Sequence, residues 1–228
     1  MRLQLVRVAA AVLALASLGA TSTESTSVIE RYADALAALP RPDNMIFEFS
    51  VEQSGLHNLD ERHRVYRRGV QERDETLAVG GVALKVPLVR IVPDSAYKYD
   101  VLTLAPKPAE YTFIYAGLRT INGRSVYAFH TQPALAGPFA ASDVLIDAVR
   151  FLPLVIAFNS AGGGLKAKGR VTFGPQGTYW VAREASVTAT GRAKDARERI
   201  VWSRYRFPEM LPDSTFSAPR PVATALQP

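Results

Sequence analysis

Few side chains in this sequence could do acid–base, nucleophilic or metal chemistry, and their spacing matches no familiar site. The histidines are His57, His63 and His130, and the first two are six residues apart, which is not the i, i+4 spacing of a helical zinc pair. Ser160 comes nearest to a nucleophile elbow, but Phe158 stands where G-x-S-x-G requires its first glycine. We interpret the histidines as surface or loop residues and predict no metal site.

Adjacent carboxylates do not form an acid–base pair either. Asp60 and Glu61 are neighbours in sequence, as are Asp74 and Glu75, and consecutive side chains of a strand point to opposite faces. Arginines surround both pairs, which indicates a solvated, salt-bridged surface. The sequence therefore predicts no catalytic residue, no cofactor and a protein that is not an enzyme. A hydrolase whose active-site residues are dispersed along the chain stays open as a third, weaker hypothesis.

Composition restricts the class of protein. The 228 residues are 48% hydrophobic and 21% charged, which is typical of a globular protein and not of a disordered one. Cysteine is absent, which excludes a disulfide scaffold, a thiolate zinc site, a cysteine nucleophile and a lipidated N-terminal cysteine. The formal net charge is +6, which allows an anionic partner, either nucleic acid or a membrane surface.

The N-terminus has the three-part form of a secretory signal peptide. Arg2 and Arg7 precede an apolar stretch over 8–18, and small residues follow it. This stretch is shorter than the ~20 residues of a membrane-spanning helix, which favours cleavage over a membrane anchor. We expect 1–20 to be a signal peptide and 21–27 a short tether. The expected location is periplasmic or secreted, where nucleic acid is not an expected partner.

An amphipathic helix is predicted next, because Ser27 and Glu30 have the spacing of a capping box and Pro40 ends the pattern. Its apolar face consists of Val28, Tyr32 and Leu36.

The hydrophobic period then changes from 3.6 to 2, which predicts a large antiparallel sheet. Asn122-Gly123 suits a tight hairpin because both of its turn positions need a positive φ. The predicted strands are Asn44–Gln53, a partner strand around Val65, Tyr97–Thr103, Tyr111–Ile121, Ser125–His130, Leu165–Phe173, Thr178–Thr190 and Glu198–Phe207.

A second helix is predicted in the middle of the chain. Ser142 can cap it, Pro153 ends or kinks it, and Leu145, Val149 and Leu152 recur at helical spacing. Together with the strands, this helix predicts a single α+β domain.

Aromatic side chains recur on single faces of several predicted strands. They can form an ordinary core, or they can line a cavity if two short helices do not fill a strongly curved sheet. These residues are Phe47, Phe49, Tyr97, Tyr99, Tyr111, Phe113, Tyr115, Tyr127 and Phe129.

The C-terminal segment favours the cavity. A strand that carries Trp202 leads to leucine-proline-aspartate at 211–213, then to Phe216 and Pro219. This segment, and the order of the elements before it, resemble the periplasmic lipoprotein-carrier (LolA-like) family. The resemblance implies a half-open β-barrel lidded by an N-terminal helix and an inserted mid-chain helix. It also implies one domain over 28–219 with a tail over 220–228.

The resemblance further implies a soluble carrier, a chaperone that holds acyl chains of lipoproteins or other lipids for transport to the outer membrane. Its partners would be the lipidated cargo, an inner-membrane donor and an outer-membrane acceptor. The alternative is an envelope sensor or scaffold of the same fold that contacts a membrane protein without carrying lipid. The predicted cavity residues are the nine aromatics named above, together with Val65, Leu145, Val149, Leu152 and Trp202.

Overall fold

The computed structural model describes residues 25–55, 58–95, 97–162, 164–191 and 195–217. The signal peptide predicted over 1–20, residues 21–24 of the tether, His57, Pro219 and the tail over 220–228 lie outside the described residues. The division into signal peptide, tether, domain and tail stays a prediction.

The described chain forms one curved, open, antiparallel sheet of eleven strands. Their spatial order is β4-β3-β2-β1-β11-β10-β9-β8-β7-β6-β5, so β4 and β5 are the free edges. The strands are β1 (Asn44–Ser54), β2 (Leu59–Arg68), β3 (Gln71–Val79), β4 (Val82–Val92), β5 (Tyr111–Ile121), β6 (Arg124–Pro133), β7 (Phe139–Asp147), β8 (Pro153–Gly162), β9 (Leu165–Gln176), β10 (Tyr179–Thr190) and β11 (Asp195–Arg206).

The helical elements are small beside this sheet. Helix α1 covers 25–37 and helix α2 is the single turn Val101–Leu104, and a 3-10 helix follows at Asp213–Phe216. The predicted α+β class with a curved antiparallel sheet is therefore confirmed. Ser27 lies inside α1 and does not cap it, because residues 25 and 26 are already helical. No helix in the described ranges is long and apolar enough to cross a bilayer.

Several predicted strands are confirmed. β1 pairs with β2 so that Phe47 lies opposite Val65, which places both side chains on the same face of the sheet. The predicted hairpin connects β5 to β6, with Asn122 at φ 48° and Gly123 at φ 75°. The closing meander is present as β9, β10 and β11.

The mid-chain helix predicted from Ser142 to Leu152 is wrong. This segment is strand β7 followed by a tight turn into β8. Asp147 makes the turn, because its carboxylate Oδ1 accepts the backbone N–H groups of Val149 and Arg150 at 2.9 Å. Both faces of β7 are at least half-buried at most positions, and such a strand has no simple alternation to distinguish it from a helix.

The strand predicted over Tyr97–Thr103 is also wrong. The segment forms a loop that leads into α2, and Asp100 caps this helix by accepting the N–H of Leu102 at 3.2 Å. Local capping thus outweighs the alternating pattern. Strands β3, β4 and β8 were not predicted. The charged stretch that contains β3 pairs with β2 on one side and with β4 on the other.

Helix α1 packs on one face of the sheet, which we call the inner face. The inner face of the sheet carries Phe47, Val65 and Trp202 near one end and Phe129 near the other. Val28, Tyr32 and Leu36 of α1 are buried in the same hydrophobic core. The Tyr32 hydroxyl donates to the Pro106 carbonyl at 3.0 Å, which ties α1 to the segment after α2. The opposite face is called the outer face below.

Candidate functional site

A cavity of about 420 Å³ lies on the inner face, between strands β1 to β4, strand β11 and the loop before α2. Its apolar lining is made largely of aromatic rings, and its charged residues come from β3, β4 and the loop. The lining residues are Phe47, Phe49, Val65, Glu72, Asp74, Arg90, Val92, Asp94, Ser95, Tyr97, Lys98, Tyr99, Ile200 and Trp202.

The structure brings six of the predicted cavity residues together here: Phe47, Phe49, Val65, Tyr97, Tyr99 and Trp202. Ile200, Val92 and all of the charged lining residues were not predicted from the sequence. Ile200 belongs to a strand that was predicted, and it lies two residues before Trp202 on the same face. That alternation was a usable signal. No comparable signal existed for β3 and β4, which the sequence analysis did not predict.

The predicted aromatics of β5 and β6 lie elsewhere on the inner face, where they form ordinary core. Phe113 meets Tyr32 of α1 edge-to-face, with ring centroids 5.7 Å apart, and it also meets Phe129 at 5.9 Å. Tyr115 packs on Phe129 and Tyr127 stacks on Phe151. The Tyr111 hydroxyl accepts the backbone N–H of Ala141 at 3.3 Å.

The three residues expected to close the cavity as a helical lid do not do so. Leu145 is part of β7 and pairs with Ala128 and Val155. Val149 is 85% exposed in the turn after β7, whereas Leu152 is buried in the core. The loop that carries Tyr97 and Tyr99 covers the inner face at this end instead.

Ring contacts connect this covering loop to the sheet. Tyr97 packs on Phe47 with centroids 5.9 Å apart, and Tyr99 packs on Trp202 at 4.8 Å. The Tyr97 hydroxyl lies 3.5 Å from that of Tyr205. Burial raises the pKa of Tyr97 and Tyr99 to about 12, so both phenols stay neutral at physiological pH. The cover is therefore uncharged where it meets the aromatic floor.

A second pocket of about 370 Å³ lies on the other side of the same loop. Tyr97 and Tyr99 line both spaces, and Met45, Leu39 and Trp180 are among the apolar residues of the second one. The loop thus separates two adjacent spaces on one apolar face.

One wall of the first cavity contains a buried charge network centred on His63. Its Nδ1 lies 2.8 Å from Asp74 Oδ1 and its Nε2 lies 3.0 Å from Glu61 Oε2. Arg90 donates to the other oxygen of Asp74 at 3.0 Å. The prediction of a surface histidine is wrong for His63, which is 7% exposed, because β3 places Asp74 against it. His130 is exposed, as predicted.

The pKa values of this network are displaced in opposite directions. Burial opposes protonation of His63, but the hydrogen bonds and charges of Asp74 and Glu61 outweigh it and raise the pKa of the imidazole. Burial likewise opposes ionisation of Asp74, but His63 and Arg90 outweigh it and lower the pKa of the carboxyl. The Asp74 carboxylate therefore stays ionised beside Arg90 in the wall of the cavity.

Arg67 forms a second polar contact between the wall and the covering loop. It bonds to Glu72 at 3.1 Å and donates to the Ser95 carbonyl at 2.7 Å, and its guanidinium lies 5.4 Å from the centre of the Tyr97 ring. The charged stretch around β2 and β3 was predicted to be a solvated surface, which is wrong here: Arg67, Asp74 and Glu75 are all buried. As predicted, Asp74 and Glu75 point to opposite faces, and Glu75 pairs with Arg73.

Solved structures that are similar to this chain share little sequence with it. No protein-family profile matches the chain, and no curated protein matches it. A solved structure of a DUF1329 family protein from Desulfovibrio piger is 12% identical, with a TM-score of 0.45, and the match covers 84% of this chain and 96% of that one. A LolA superfamily protein from Nitrosomonas europaea is 12% identical, with a TM-score of 0.41 and coverage of 85% and 97%.

A third similar structure is a domain from Vibrio parahaemolyticus named for outer membrane lipoprotein sorting. It is 13% identical, with a TM-score of 0.44 and coverage of 82% of this chain and 95% of that one. Likeness at this level of identity gives no function for this chain, so its function has to be argued from the residues of its own cavity.

The cavity on the inner face offers shape and apolar surface more than reactive groups. Within the described ranges, no three histidine, cysteine, aspartate or glutamate side chains are placed to hold a metal ion. On the outer face, Asp143 binds His130 at 2.6 Å and accepts from the Ser142 hydroxyl at 2.9 Å. Because the Asp143 carboxylate lies between the Ser142 hydroxyl and the His130 imidazole, the histidine does not activate the serine.

Proposed function

We propose that this protein is an envelope carrier that holds the acyl chain of a lipoprotein or another lipid in the cavity on its inner face. The observation that carries the proposal is the aromatic-lined space of about 420 Å³ that α1 leaves unfilled. Ligand pockets commonly have volumes of about 300–1,000 Å³. Each methylene that enters such a space gains about 0.8 kcal/mol, so binding needs no catalytic group.

The distribution of polarity in the cavity suits an amphiphile. Phe47, Val65 and Trp202 form a buried apolar floor, whereas Asp94 and Lys98 of the lining are exposed. Arg90 has a side chain that is 71% exposed and sits at the same rim. An acyl chain would lie on the floor with its polar head among these charges. This arrangement supports transport of a lipidated molecule and not its chemical conversion.

The compartment and the partners belong to the same proposal. Cleavage of the predicted signal peptide would release the carrier into the periplasm or the extracellular space. There it would receive cargo from an inner-membrane donor and deliver it to an outer-membrane acceptor.

Native mass spectrometry of protein purified from its own envelope tests the proposal. We expect a bound lipid, and uptake of palmitate and of a synthetic diacylated peptide on titration. Val92→Asp places a charge in the cavity wall and should weaken uptake about tenfold or more. Ile91→Asp is the matched control, because its side chain is on the opposite face of the same strand. No lipid on the purified protein and no uptake on titration would refute the carrier.

A second candidate function, a sensor or scaffold that contacts a membrane-protein partner, is favoured by edge strand β4. Three of its apolar side chains are strongly exposed: Val82 (68%), Val86 (77%) and Leu88 (63%). Exposed apolar side chains that lie together can form a surface that another protein covers. Recovery of one envelope protein by cross-linking at Val86, from a protein that takes up no lipid, would favour this function over the carrier.

A further inference from the structure

A further concave site lies on the outer face, on the opposite side of the sheet from the cavity of about 420 Å³. It has a volume of about 390 Å³ and is centred on the carboxylate of Glu48. Its lining residues are Ile46, Glu48, Arg64, Arg204, Tyr205 and Arg206. Three of these residues are arginines and one is an acid, so the site has an excess of positive charge.

A β-bulge shapes this site. In the β1–β11 ladder, Ile46 pairs with Arg206 but Glu48 pairs with Ser203, so β11 contains one more residue than β1 between these pairs. Arg204 falls in the bulge and has a φ of 53°, a left-handed conformation that is uncommon for a residue with a side chain. Its Nη1 lies 3.1 Å from Glu48 Oε2. The bulge thus directs a guanidinium into the site at a cost in backbone strain.

Glu48 holds two guanidinium groups in place. Its Oε1 accepts from Arg64 Nε at 3.2 Å and from Nη2 at 2.8 Å, while its Oε2 faces Arg204. Burial opposes ionisation of this carboxyl, but Arg64 and Arg204 outweigh it and lower its pKa. The carboxylate therefore stays charged and works as a fixed anchor.

The arginines retain donors that Glu48 does not use. A guanidinium has more N–H groups than one carboxylate can accept, and Arg204 is 72% exposed while it makes its single contact. The Arg206 side chain makes no hydrogen bond or ion pair with any residue that the structure describes. Its guanidinium, unpaired among the described residues, lies beside two that a carboxylate orients.

We propose that this site binds a phosphate group. Oriented guanidinium groups match the oxygens of a phosphate, and several of them supply charge and paired N–H donors together. The phosphate can belong to a soluble phosphate compound or to the headgroup of an anionic phospholipid. The chemistry of recognition is the same, and the two sources are separated by experiment. The proposal is independent of the carrier function, because the site and the cavity lie on opposite faces.

Isothermal titration calorimetry with inorganic phosphate tests the site directly. We expect binding by the wild type and about tenfold weaker binding by Arg206→Gln. Because the Arg206 side chain has no polar partner among the described residues and the backbone pairing with Ile46 is kept, the variant should keep the unfolding midpoint of the wild type. Arg197→Gln is the matched control, since this exposed arginine is on the same strand but pairs with Ser54 at its other end.

Sedimentation with phosphatidylglycerol vesicles, and with phosphatidylcholine vesicles as a reference, identifies the source. If the protein binds phosphatidylglycerol vesicles, and Arg206→Gln weakens this binding more than Arg197→Gln does, the source is a phospholipid headgroup. Phosphate binding without vesicle binding would support a soluble phosphate compound. Absence of phosphate binding by the wild type, or equal weakening by the two variants, would overturn the proposal, because equal weakening reflects only the net charge.

Discussion

The imidazole of His63 stacks on the ring of Phe49, with centroids 4.6 Å apart and planes only 2° from parallel. His63 therefore contacts an aromatic ring of the cavity lining and also binds Asp74 in the buried charge network. Phe49 lines the cavity, so the imidazole lies directly against one of the aromatic rings of that lining. The protonation of His63 is thereby connected to the wall that a ligand would touch.

This network predicts a stability that depends on pH. The folded state raises the pKa of His63, so its contribution is fully present below the ordinary histidine value of about 6.5 and is lost as the pH rises through the raised value. For Asp74 the pKa is lowered, so its contribution is present above about pH 4 and is lost as the pH falls through the lowered value. Urea denaturation at a series of pH values, from below about pH 4 to above about pH 6.5, measures both contributions to the free energy of unfolding.

His63→Gln provides the control for the alkaline side. We expect the variant to be less stable than the wild type at about pH 6 and the difference to shrink at about pH 9, because glutamine does not titrate. A difference that is constant with pH would show that His63 contributes packing alone.

Trp202 should report ligand binding by fluorescence. The chain has two tryptophans, so Trp202 is the only one that remains in the Trp180→Phe variant. Trp202 lies on the cavity floor in contact with Tyr99. Trp180 donates its indole N–H to the Pro153 carbonyl at 2.8 Å, so its replacement should cost about 1 kcal/mol. We expect palmitate to change the emission of this variant with saturation. Adding Val92→Asp should raise the palmitate concentration at half-saturation about tenfold or more. Unchanged emission during lipid uptake would place the ligand outside the cavity.

The attachment of α1 should depend on one buried hydroxyl. Tyr32→Phe keeps the ring contact with Phe113 but removes the hydrogen bond to the Pro106 carbonyl, and we expect a loss of about 1–3 kcal/mol in the free energy of unfolding. Tyr127→Phe is the matched control, since the Tyr127 hydroxyl has no hydrogen-bond partner within the described ranges. Equal effects of the two changes would contradict a specific attachment.

Gly169 should not tolerate a side chain. A Cβ at this position would lie 2.5 Å from Phe158 Cζ and 3.0 Å from the Ser186 carbonyl oxygen. We expect Gly169→Ala to lower the free energy of unfolding by about 1–3 kcal/mol, measured by urea denaturation. Gly162→Ala is the control, because a Cβ there has no neighbour within 4 Å among the described atoms. A neutral Gly169→Ala would mean that the Phe158 ring moves aside freely.

The fold could be predicted from sequence wherever local signals decide the structure. Asn122-Gly123 fixed a hairpin by its turn geometry, and the alternation of Phe47 and Phe49 identified β1. Where a strand is covered on both faces, alternation fails, and β7 around Leu145 was therefore predicted as a helix.

The candidate site was only half predictable, because its boundary is set by distant pairings. Trp202 and Phe49 share a face, which alternation indicates, but only the pairing of β1 with β11 makes them neighbours. No local pattern reveals that α1 covers Phe113 and leaves Phe49 open. The burial of His63 likewise depends on Asp74 of β3, a strand whose charged sequence concealed it.

The free edge of the sheet also bears on how concentrated solutions of this protein behave. Between Ala83 and Leu88 the ladder of β4 with β3 is interrupted, and Pro87 in that stretch has no N–H to offer an incoming strand. Lys85 and Arg90 add like charges along the same edge. When two copies approach edge to edge, their β4 strands therefore cannot form a continuous hydrogen-bonded ladder, and their like charges repel. Fibrillar stacking is disfavoured although the edge is apolar.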